Sequence, residues 1–117
     1  MSKNNISDSR IMEISQKVLQ AAQNILGDKL EKVILYGSYA RGDYDNESDI
    51  DFFILADVAQ EESGVWRNKI RKIIPYIDLD YDICVSIHVT GSSIFYEYAE
   101  ILPFFMNVIK EGVLISG

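Results

Sequence analysis

Residues 36–52 read YGSYARGDYDNESDIDF, and the fold turns on this stretch. It links two apolar runs through a glycine turn and puts an acidic residue at every second position from Asp43 to Asp51. The run leading in, residues 32–36, has a VILY core that suits a buried strand, because β-branched and aromatic side chains fit a pleated surface. The run leading out, Ile50–Ala56 (IDFFILA), is apolar on both parities once past the aspartates. That is the pattern of a central strand covered on both faces. Gly37, Gly42 and the polar residues up to Ser48 make the loop between them, with room for one helical turn.

Working outward, residues 8–26 carry Ile11, Ile14, Val18, Ala21, Ala22 and Ile25 at helical spacing, with Ser7 as N-cap and Gly27 as stop. Residues 61–74 read as a helix ended by Pro75. Residues 81–89 alternate as a strand, with Tyr81, Ile83, Val85, Ile87 and Val89 on one face and Asp82, Cys84, Ser86 and His88 on the other. A helix over 92–110, bent near Pro103, follows, with Gly112 at its end and a short last strand at Val113–Ser116. The order α-β-α-β-α-β predicts one α/β (α+β) domain spanning 1–117, a small mixed sheet with helices packed on it.

The 117 residues are 48% hydrophobic and 25% charged, an ordinary globular composition. A net charge of −7 argues against a general phosphate-backbone binder and favours cation binding, so nucleic acid is not an expected partner. Cys84 is the only cysteine, which excludes an internal disulfide and fits a reducing cytoplasm. The first residues hold no apolar run of signal type, and the uncharged run 101–109 is far short of the ~20 residues of a membrane span. A soluble cytoplasmic protein is expected.

A strand that ends in a glycine turn brings backbone N–H groups to the surface, where they favour anions such as phosphate. Gly37 permits the turn and a close approach, and the Ser38 hydroxyl can donate to a phosphate oxygen. Arg41 can reach the same anion or help carry the loop. Asp49 and Asp51 leave one face of a strand with Cα atoms roughly 6.5–7 Å apart. They repel each other unless a cation lies between them, and hard divalent ions take carboxylate and phosphate oxygens together. Two such ions about 3.5–4 Å apart activate an attacking hydroxyl and steady the leaving oxygen. Asp82 is the expected third carboxylate, with Asp80 as the alternative. P-loop spacing from Gly37 to Gly42 fails at Asp43 and Tyr44, and an EF-hand counted from Asp43 fails at Ser48 and Ile54.

Gly37-Ser38, ten residues, then Asp49-x-Asp51 resembles the signature of the DNA polymerase beta-like nucleotidyltransferase superfamily. Y-G-S-Y-A-R-G-D, S-D-I-D-F and the closing IKEGVLI look like its shortest branch, the minimal nucleotidyltransferases (MNT), over nearly the whole chain. The resemblance implies a palm-like fold and transfer of a nucleoside monophosphate from ATP with two Mg²⁺ ions. It implies that Gly37 and Ser38 hold the triphosphate, Asp49 and Asp51 bind metal, and Asp82 helps deprotonate the acceptor hydroxyl. Many stand-alone members resemble antitoxins that adenylylate a tyrosine on a HEPN-domain ribonuclease toxin. Two other readings stand beside this one: an antitoxin that acts by binding and occlusion, and a small-molecule transferase like the antibiotic-modifying members.

Other features have simpler explanations. Asp43, Asp45 and Glu47 suit a solvated loop. His88 fits a packed or exposed strand residue. The basic set Arg67, Lys69, Arg71 and Lys72 beside Trp66 fits a solvated helix face. The aromatic stretch IFYEYAEILPFFMN (94–107) fits core packing, with a partner surface as the alternative.

Overall fold

The structure, a computed structural model, describes residues 2–3, 9–45 and 47–116. A five-stranded sheet is ordered β1-β5-β2-β3-β4, with β1 Ser2–Lys3, β2 Leu30–Tyr36, β3 Ile50–Ala56, β4 Val85–Gly91 and β5 Val113–Ser116. It is mixed: β2 runs antiparallel to β3 and β5, while β3–β4 and β1–β5 are parallel. The helices are α1 Ser9–Leu26, α2 Ser38–Arg41, α3 Ser63–Arg71, α4 Ile74–Tyr81, α5 Ser92–Tyr98 and α6 Pro103–Glu111. Among the described residues no helix is long and apolar enough to cross a membrane.

The register sorts the core into two layers, because directly paired residues share a face. Leu35, Phe52 and Ile87 lie on one face, under α1, α3 and α4. Ile34 and Phe53 lie on the other, under Phe95 of α5 and Phe105 and Val108 of α6. Residues 52–56 of β3 are fully buried, as an apolar run covered on both faces requires.

Several sequence expectations are corrected. The helix read over 61–74 is a 3₁₀ turn at Gln60–Glu62 followed by α3, and Pro75 lies in the first turn of a further helix, α4, where its missing N–H costs nothing. The helix read over 92–110 is two helices, α5 and α6, and Pro103 starts the second. The strand read over 81–89 begins only at Val85: Tyr81 ends α4, and Asp82 is its C-cap in the left-handed region (φ 51°, ψ 47°). The N-cap expected at Ser7 lies outside the described residues.

Candidate active site

β2 ends at Tyr36, directly opposite Asp51 on β3. Gly37 follows with φ 77° and ψ −155°, a region essentially reserved for glycine. A Cβ built on Gly37 would meet Asp51 Oδ2 at 2.5 Å, so the carboxylate is laid against the bare backbone of the turn. Ser38 then opens α2, a single turn closed by Arg41 N–H donating to Gly37 O at 3.1 Å and Gly42 N–H donating to Ser38 O at 2.9 Å. Tyr39 anchors this turn in the core beneath the sheet end. The glycine turn and the carboxylate are thus one unit, not neighbours by chance.

Asp49 stands just ahead of β3, and Ile50 N–H donates to Cys84 O at 2.9 Å, fixing where the two aspartates emerge. Asp51 is half-buried. Burial, and secondarily the charge of Asp49, raises its carboxyl above the usual range; His88 and Arg41 offset this in part. Paired acids held at a cost in the absence of a cation form a hard oxygen donor set, which fits Mg²⁺.

Arg41 carries the loop. Its Nε donates to Asp43 Oδ2 at 3.2 Å and its Nη1 to Glu111 Oε2 at 3.4 Å. Asp45 also serves the loop, accepting from Glu47 N–H (2.9 Å) and Ser48 Oγ (3.1 Å).

The third carboxylate does not stand where a strand reading puts it. The β4 residue opposite Asp51 is Ser86. Asp82, on the helix cap three residues before β4, lines a cavity of about 230 Å³ with Glu47, Ser48, Asp49, Asp78, Ile83 and Cys84. Among the described residues no three His, Cys, Asp or Glu side chains are already gathered closely enough to hold one ion. Asp80 lies outside that cavity, along a groove with Lys17 and Tyr76. Asp78 went unnoticed in the sequence. Its Oδ1 accepts from Val85 N–H at 3.1 Å, a side chain-to-strand contact that no local pattern announces.

On the opposite flank Tyr36, His88 and Phe104 touch: Tyr36–His88 ring centroids are 5.9 Å apart, Tyr36–Phe104 5.7 Å and His88–Phe104 5.8 Å. These residues come from β2, β4 and α6, and their meeting is a product of topology.

The nucleotidyltransferase domain model matches residues 11–115. A provisionally named protein adenylyltransferase of Methanocaldococcus jannaschii, MJ0141, is 47% identical over 76 residues, covering 65% of this chain and 75% of that protein. A second from the same organism, MJ0604, is 49% identical over 47 residues, covering 37% of this chain and 47% of its own. Among solved structures, a chain of a toxin–antitoxin complex with AMP-PNP aligns with TM-score 0.52 and 17% identity, covering 87% of this chain and 73% of that one. A variant of the MntA–HpeT toxin–antitoxin pair aligns with TM-score 0.56 and 16% identity, covering 88% and 72%. At these identities the structural matches establish the fold.

Proposed function

We propose that this chain, which belongs to the nucleotidyltransferase domain family, transfers AMP from ATP to a hydroxyl of a partner protein. The observation that carries the proposal is the packing of the Asp51 carboxylate against Gly37, which joins the anion-holding turn to the paired acids. Gly37 and Ser38 hold the triphosphate, through backbone and hydroxyl donors at the end of β2. Asp49 and Asp51 hold Mg²⁺, two ions in the full assembly, which when bound neutralise phosphate charge and polarise the reacting phosphoryl group. β3, buried from Phe52 to Ala56, gives Asp51 and the adjoining Asp49 the firm backing that a fixed geometry for in-line displacement needs. The acceptor hydroxyl attacks the α-phosphorus as the bond to pyrophosphate breaks, and its proton passes to a carboxylate. Asp82, which shares a cavity with Asp49 on the acidic flank, is the proposed proton acceptor.

The named relatives support a protein acceptor and the toxin–antitoxin neighbours a toxin as that acceptor; a tyrosine of a HEPN-type ribonuclease is the specific target proposed, on the sequence resemblance alone. Incubating the protein and the product of its neighbouring gene with Mg²⁺ and ATP labelled at the α- or the γ-phosphate tests this. Label should reach the partner from α-labelled ATP only, and not with Asp49→Asn. Neutralisation of the partner by Asp49→Asn and Asp51→Asn variants as strong as wild type, with no label transferred, would replace catalysis with binding and occlusion.

A further inference from the structure

The sheet face that carries Asp51 is only partly covered. Ile34, Phe53 and Leu55 are buried under α5 and α6, while in the next row, Tyr36–Asp51–Ser86, Tyr36 packs against the margin of that cluster and Asp51 and Ser86 are only partly buried. At the boundary stands a cluster of rings. His88 pairs with Phe53 across the strands and is exposed. Phe104, in the first turn of α6, packs its ring edgewise on Phe53 at 5.8 Å, yet stays 41% exposed. Core packing alone does not call for an aromatic ring left this open against Tyr36, the residue that pairs with Asp51.

We propose that Tyr36, His88 and Phe104 seat the base of the nucleoside triphosphate, one ribose away from the Asp51 carboxylate. This rests on the nucleotidyltransferase reading. A nucleoside triphosphate is one tethered molecule: with its phosphates at Gly37–Ser38 and its α-phosphorus at Asp49 and Asp51, its sugar and base must continue along one flank. The flank beyond Asp49 presents Glu47, Asp78 and Asp82, which offer carboxylates and no ring. The other flank presents three rings, the first of them covalently joined to Gly37. Flat heteroaromatic bases gain from ring contact whatever their edge pattern. The acidic flank is left to the acceptor, so substrate and acceptor enter from opposite sides of Asp49 and Asp51.

Calorimetric titration with ATP and with inorganic tripolyphosphate, each with Mg²⁺, tests the assignment. Wild type should bind ATP more tightly than tripolyphosphate. Phe104→Ala and His88→Ala should each weaken ATP about tenfold and leave tripolyphosphate unchanged, while Phe104→Trp keeps ATP binding. His88 is exposed, so its variant isolates the contact from folding. Equal wild-type affinity for the two ligands, or variants that bind ATP like wild type, would overturn the ring seat alone. A raised KM for the acceptor with unchanged ATP affinity would hand the rings to the acceptor and overturn it too. Wild type binding neither ligand would bring down the nucleotidyltransferase reading along with it.

Discussion

Gly37 answers to two constraints at once: a backbone region closed to other residues, and a carboxylate oxygen where its side chain would be. Gly37→Ala should therefore cost about 1–3 kcal/mol in a denaturant melt and lose nucleotide binding, because Asp51 has to move. Asp51 makes a second prediction. Its carboxyl is raised by burial and by Asp49, so the ionised form is less stable folded than unfolded. The fold is relatively favoured at acid pH and loses that contribution as pH rises through the raised value. Without divalent cation, Asp51→Asn should melt about 2–5 °C higher than wild type at pH 7, and the gap should shrink as pH falls towards the unperturbed 3.8. An unchanged or lower melting point at pH 7 would contradict a strained pair. These residues were legible in the sequence because their signal is local: a glycine turn, and two acids at strand spacing. Tyr36, His88 and Phe104 were not, because their ring partners lie sixteen or more residues away, and Asp78 was not, because its contact with Val85 runs from a helix to the next strand.

Among the elements, β3 was readable to its bounds, since FFILA after Asp51 is apolar on both parities and too short between its polar flanks for a helix. β4 was not. The alternation of YDICVSIHV continues through Tyr81–Cys84, although that segment is the end of α4 and a connection. Ile83 turns inward from a helix cap much as a strand residue would, so parity alone cannot tell the two apart. Pro75 and Pro103 misled in the same way: each reads as a stop or a bend, and each sits in the first turn of a new helix. Asp82 stands on a helix cap and not on a strand, and proton acceptor remains the role proposed for it there. Asn tolerates the left-handed region well, so Asp82→Asn keeps the cap and removes the base. It should lower kcat about a hundredfold while leaving Mg·ATP affinity as in wild type. A parallel loss of Mg·ATP affinity would return Asp82 to the metal.

On the scale of the whole molecule, one sheet divides the labour. The face under α1, α3 and α4 is core, and the face under α5 and α6 is core only as far as Phe53. At its open end Asp51 of β3 and the adjoining Asp49 sit between an acidic cavity and an aromatic rim, in a chain of net charge −7. Such a chain repels a free triphosphate unless cations intervene, so anion binding and cation binding should be one event. ATP affinity measured with and without Mg²⁺, in wild type and in the Asp49→Asn, Asp51→Asn double variant, tests that directly. Wild type should bind ATP tightly only with Mg²⁺, and the double variant weakly in both conditions. Wild-type affinity that ignores Mg²⁺, or a double variant that keeps the Mg²⁺-dependent gain, would contradict the account.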